Sequence, residues 1–171
     1  YEQIPFQFSV HVKRTPTTAP EHYEYLHEDA SDPRPKLREA LMKCIGTQGS
    51  VIAYNKSTEA ASLKKLNGMS AVIARLSDPL PVLRKAVYDQ EFEGSFSIKN
   101  VAPALLGNDV SYSELSISGG QMAQQGFLEL IGGSLTEEER LRLRREMLKY
   151  CKQDTFCMVG ILGWMRENQA P

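Results

Sequence analysis

The feature that most constrains this chain is a short apolar run, Gly49-Ser-Val-Ile-Ala-Tyr54, closed by Asn55 and followed by a helix-compatible stretch reaching Leu66. An apolar run of that length bounded by turn residues suits a strand covered on both faces, and such strands are mostly parallel. Parallel strands need long crossover connections, usually helical. The run therefore predicts a mixed α/β fold. Phe6-Gln-Phe-Ser-Val-His-Val12 alternates apolar and polar residues, breaks at Thr15-Pro-Thr-Thr-Ala-Pro20, and is followed by a second alternating stretch over 21–28. That pattern predicts an antiparallel hairpin.

Helix signals punctuate the rest. Asp32-Pro-Arg-Pro opens a helix to about Ile45, with Asp32 near the cap and Gly46 past the end. Asn55 or Ser57 caps the helix after the apolar run, and residues 69–78 fit helix and strand equally. Asp78-Pro-Leu-Pro marks a boundary before a helix ending near Val87. Ser95 or Ser97 caps a helix over 98–106, closed by Gly107-Asn108. Thr136 with Glu139 forms a capping box for a helix running through Tyr150 and Asp154 to about Arg166, with a kink or break expected near Cys151 or Gly160. The expectation is one domain over residues 1–171, a mixed sheet flanked by helices.

Composition matters here for what it excludes. With 20 basic against 21 acidic residues the net charge is −1, which argues against a non-specific DNA coat. No stretch is apolar for the roughly 18 residues that a membrane-spanning helix needs. The first residues, Tyr1-Glu-Gln-Ile-Pro5, lack the basic and apolar regions of a signal peptide. Without an initiating methionine, the chain is expected to be a piece of a longer protein. Three cysteines, Cys44, Cys151 and Cys157, form no CxxC pair and read as reduced thiols of a cytoplasmic protein.

Chemistry-bearing residues are few. Tyr150 and Asp154 stand four apart on a helix, on one face, with about 5–6 Å between Cβ atoms. A carboxylate there suits a divalent metal, and a phenol suits a water or a phosphate oxygen. Read alone, the pair is more readily a partly buried tyrosine beside a solvated aspartate. Asn55 and Glu59 lie just past a buried strand, where functional groups of open α/β sheets gather. Read alone, they are a helix cap and a surface residue.

Together with Pro5-Phe-Gln-Phe-Ser-Val-His11, Gly49 to Asn55, Gly94-Ser-Phe-Ser-Ile-Lys-Asn-Val101 and Tyr150-Cys-Lys-Gln-Asp-Thr155, these residues resemble the DnaQ-like, or DEDD, 3′–5′ exonuclease superfamily. The nearest resemblance is to a bacterial subfamily catalogued as a domain of unknown function. It implies a ribonuclease-H-like fold and hydrolysis at a DNA or RNA 3′ end by two divalent ions, Mg²⁺ or Mn²⁺, held by four acidic residues. It places Glu59 and Asp154 as metal ligands, Tyr150 as the residue orienting the attacking water, and Asn55 and Lys99 on the substrate side.

The superfamily's first motif, Asp-x-Glu on the central strand, has no match in residues 1–10, and Glu2 lacks the apolar strand that would make it a substitute. The two-metal site is therefore incomplete and the chain is expected to be inactive. Loss of the central strand also predicts an exposed sheet edge open to self-association. The alternative is a degenerate nuclease fold that binds nucleic acid or protein. His11, His22 and His27 lack metal spacing, Ser118-Gly-Gly120 lacks the rest of a phosphate loop, and the basic run Arg140, Arg142, Arg144, Arg145, Lys149, Lys152 reads as a solvated helix face.

Overall fold

The computed structural model describes residues 3–107, 110, 112, 113 and 115–168. It is a mixed α/β protein with seven α-helices and four strands among these residues. The strands form two separate two-stranded sheets, one antiparallel and one parallel, where a single mixed sheet was expected. The chain divides into two compact units: residues 1–46 with 113–153, and residues 47–112 with 154–171.

In the first unit, β1 (Gln7–Val12) and β2 (Glu21–Leu26) form the expected hairpin, His11 opposite His22. Helix α1 (Arg34–Ile45) packs against both strands and buries Leu37, Leu41 and Cys44, one stripe of its surface. Asp32 accepts the Arg34 amide at 3.0 Å, and Gly46 follows the last turn with φ 60°. Helix α6 (Gly120–Ile131), which the sequence pattern does not announce, buries Ala123, Gly126 and Leu130. It lies against α7 (Glu137–Glu167). A Cβ on Gly126 would stand 3.2 Å from Leu143 Cδ1 and 3.5 Å from Met147 sulfur, so the missing side chain permits the close approach. Leu26, Ile117, Ala123, Leu130, Met147 and Leu148 form this unit's core, flanked by Phe6 and Phe127, whose rings stack at 4.2 Å.

The second unit holds the parallel pair. β3 (Val51–Ile52) runs beside β4 (Leu76–Ser77), and amides of Val51 and Ala53 extend the ladder to Arg75 and Ser77 carbonyls. The crossover between them contains α2 (Lys56–Leu63) and α3 (Ser70–Ile73), which resolves the ambiguous stretch into helix followed by strand. α4 (Leu80–Ala86), a 3₁₀ turn (Gln90–Phe92) and α5 (Ile98–Leu106) follow. Ser97 accepts the Lys99 amide at 3.4 Å, and Gly107 closes α5 at φ 92°; Asn108, like Glu2, lies outside the described residues.

Each unit takes part of α7, the boundary falling between Gln153 and Asp154. The capping box forms as expected: Thr136 Oγ1 accepts the Glu139 amide at 3.3 Å and Glu139 Oε2 accepts the Thr136 amide at 2.9 Å. The expected break does not: the 31 residues are one uninterrupted helix. Within it Gly160 lies close to α5, where a Cβ would stand 2.5 Å from Leu106 Cδ1.

Candidate functional site

The parallel pair ends at Ser77, and Asp78 follows at its carboxyl edge. The Asp78 carboxylate accepts backbone amides from Asn55 at 3.1 Å, Lys56 at 2.9 Å and Leu80 at 3.0 Å. One side chain thereby satisfies orphan donors at the starts of α2 and α4. Neither Asn55 nor Ser57 caps α2 with its side chain, contrary to the pattern reading. Asn55 sits in the left-handed region (φ 62°), which asparagine tolerates, and this turns its amide toward Asp78. Its Oδ1 instead accepts the Ser57 hydroxyl at 2.7 Å.

Tyr54, just before it, donates its hydroxyl to the Phe96 carbonyl at 2.8 Å. Burial pushes that phenol up to about 12, so it remains a donor at neutral pH. The bond ties the approach to α2 to the approach to α5. Glu59 lies in the first turn of α2, and Lys99 in the first turn of α5.

Asp154 completes this cluster in the second unit. Its Oδ1 accepts the Tyr112 hydroxyl at 2.8 Å, and Tyr112 is only 7% exposed. Burial, with the Asp154 charge next in size, drives the Tyr112 phenol well above its ordinary value, so it stays protonated. Lys99 Nζ lies 5.9 Å from the centroid of the Tyr112 ring, within cation–π range. Glu59 is open to solvent at its surface yet set among enough protein that desolvation raises its carboxyl. A backbone hydrogen bond offsets part of that rise, and the charges of Asp78 and then Asp154 add smaller increases.

Of the five candidate residues, Asn55, Glu59, Lys99 and Asp154 fall in the second unit. Tyr150 falls in the first, one helical turn before Asp154, and its ring packs on that unit's apolar core. Sequence reading missed Asp78 and Tyr112. The Asp78-Pro79 boundary after a strand was a usable signal for the first; Tyr112 lies in a stretch without periodicity and offered none.

Carboxylate oxygens are the donors that a hard divalent cation prefers. Mg²⁺ is commonly bound through one or two carboxylates while keeping waters and accepting substrate phosphates. Glu59 and Asp154 are the carboxylates that the resemblance offers to such an ion, whereas Asp78 already accepts three amides. Among the described residues no group of three or more His, Cys, Asp or Glu is arranged to hold a metal.

The other candidates serve the first unit. His27 is 1% exposed, with Nδ1 3.0 Å from the Tyr25 hydroxyl and Nε2 3.0 Å from the Ser31 carbonyl oxygen. Arg140 and Arg144 are not simply solvated: both grip the half-buried Glu28, at 2.9 and 2.7 Å. Ser118 and Gly119 lead into α6, whose N-terminal turn lacks a side-chain cap. Cys44, Cys151 and, in the second unit, Cys157 form no disulfide. No helix among the described residues is long and apolar enough to cross a membrane.

Residues 1–97 match the model of a family described as Domain of unknown function (DUF2779). No curated protein and no solved structure matches the chain.

Proposed function

The chain belongs to that family of unknown function, and on that premise we propose that its second unit carries part of a metal-dependent nuclease site acting at a DNA or RNA 3′ end. The observation that carries this reading is the Asp154 carboxylate, whose Oδ1 accepts the Tyr112 hydroxyl at 2.8 Å with the Lys99 ammonium over the same ring, and toward which the resemblance directs Glu59. A bound Mg²⁺ or Mn²⁺ would act as a Lewis acid on a phosphodiester oxygen. The chain's own residues bind and orient: Glu59 and Asp154 hold the ion, Lys99 meets the phosphate, and Asn55 lines the approach past β3. The resemblance would have Tyr150 orient water, but Tyr150 lies in the first unit with its ring on that unit's core, and this reading leaves it out. The ribonuclease-H-like relationship belongs to the same proposal.

Two carboxylates support one ion more readily than a two-ion clamp, so metal binding is expected without appreciable hydrolysis by this chain alone. Titration with Mn²⁺ tests this, alongside incubation with an end-labelled single-stranded oligonucleotide. Binding lost in both Glu59→Gln and Asp154→Asn is the expected result. Absence of binding, or equal binding by both variants, removes the site; rapid metal-dependent cleavage removes the one-ion reading. A second reading, a degenerate nuclease fold used for binding, draws support from Met122 and Leu128, exposed at 47% and 53% on α6. Met122 borders a groove of about 750 Å³ that α6 forms with α7. This reading gains if Mn²⁺ fails to bind.

A further inference from the structure

We propose that the groove which α6 forms with α7 is a docking site for a basic amphipathic helix of a partner protein, its apolar stripe laid on Met122 and Leu143 and its Lys or Arg side chains set against Glu129 and Glu146. The groove lies wholly in the first unit, whereas the proposed metal ligands belong to the second, so the two proposals stand or fall separately. It goes beyond the readings above by naming the surface that takes a partner and the chemistry of that partner.

The shape of the groove favours a helix. Gly126 lets α6 approach Leu143 on α7, and beside that contact lies an open space of about 750 Å³ lined by both helices. Ile117, 5% exposed, and the half-buried Leu143 give it an apolar floor, and Met122 stands 47% exposed at its border. An exposed methionine is an adaptable contact, because its unbranched side chain fits apolar partners of different shape. The α6 wall runs from Gln121 to Glu129 and the α7 wall from Glu139 to Glu146. At the helical rise, each wall is about 10–12 Å long, or roughly two turns. Anchors at i, i+3 or i+4 and i+7 of a docked helix span the same length. An extended segment would need an unpaired strand ladder, which two helices do not offer.

Charge decides the sign of the occupant. Three glutamates line the groove against one arginine, Arg142. Glu129 accepts the Gln125 side-chain amide at 2.9 Å, and Glu146 accepts the Ser116 hydroxyl. Both donors are neutral, and neither carboxylate has an ion pair among the described residues. Lys or Arg on the two flanks of an apolar stripe would gain an acidic partner on each wall, Glu129 on α6 and Glu146 on α7. A nucleic-acid backbone would meet the same carboxylates as repulsion.

Panning a display library of randomised helical peptides against the full chain tests the proposal, with the affinity of enriched peptides measured by fluorescence anisotropy. Enriched sequences should carry apolar residues at helical spacing with Lys or Arg beside them, and Met122→Asn should weaken their binding about tenfold. Leu128→Asn changes an apolar residue, 53% exposed on the same helix but outside the groove, and should leave binding as in the wild type. Glu129→Gln combined with Glu146→Gln should weaken binding and flatten its dependence on salt. In the folded wild type, NMR of methyl-labelled methionine reads the contact without a substitution, and the enriched peptide must move the Met122 signal. No enriched peptide, enriched peptides without a basic excess, or a Met122 signal that stays in place overturns the proposal. Self-association of the wild type in sedimentation that Met122→Asn abolishes would assign the groove to a second copy and overturn it equally.

Discussion

His11 and His22 show how much one register can decide at the scale of the residue. The His27 amide bonds the Phe6 carbonyl at 2.9 Å, and hydrogen-bonded pairs alternate along an antiparallel ladder. Counting along the register makes His11–His22 a non-hydrogen-bonded pair, the kind that brings side chains closest. Their rings accordingly lie 4.6 Å apart. Burial lowers His11 to about 4, with His22 and Lys152 adding repulsion. His22 is lowered too, chiefly by burial and also by Lys152, with Glu24 opposing. A histidine held below its unfolded value of 6.5 contributes stability that is fully present above pH 6.5 and lost as pH falls through about 4. His11→Asn should therefore flatten the stability profile between pH 6.5 and 4. The wild type should lose about 1–2 kcal/mol across that window from this group, less than the whole shift implies because the pair is partly solvated. Urea denaturation at several pH values checks it. Identical slopes in variant and wild type would refute it.

At the scale of the element, α7 carries the clearest lesson. Its capping box is a local signal and forms as the sequence implies. Its continuity is not local. Glycine in a helix costs roughly 1 kcal/mol relative to alanine, so an isolated helix gains from Gly160→Ala. Here the added methyl meets Leu106 on α5 at 2.5 Å. Gly160→Ala should consequently destabilise by about 1–3 kcal/mol, the usual range for overpacking. Shortening Leu106 to alanine in the same chain should return part of that loss, which a double-mutant cycle measured by thermal unfolding would read. A stabilised single variant would show that the approach is not tight. The same contrast explains α2: its own Asn and Ser were plausible caps, but Asp78, more than twenty residues away, holds its first amides.

For the whole molecule, the division into two units makes a regional prediction. A ligand that binds only the folded state stabilises what it touches by RT ln(1 + [L]/Kd). If Glu59 and Asp154 hold the ion, Mg²⁺ should slow amide exchange in α2, in α5 and in the part of α7 after Asp154. Exchange in β1 and β2 should stay as it was. Mass-spectrometric hydrogen exchange with and without Mg²⁺ resolves these segments, and protection concentrated in the β1–β2 hairpin would contradict the placement. Each of the four strands also has one ladder side without a strand neighbour among the described residues.

The sequence by itself determined the kinds of element and most of their order: the hairpin from its two-residue alternation, the parallel strand from the apolar run 49–54, the helix ends from Ser97, Gly107 and the Thr136–Glu139 box. Those signals are legible because each records what a segment does with its own backbone and its own buried face. Tertiary structure alone decided which polar groups meet. Asp78 became the cap of two helices, Tyr112 the partner of Asp154, and Tyr150 a neighbour of the first unit's core. Such meetings depend on how elements pack, and a contact between residues forty or more positions apart, as between Tyr112 and Asp154, leaves no period in the chain to be read.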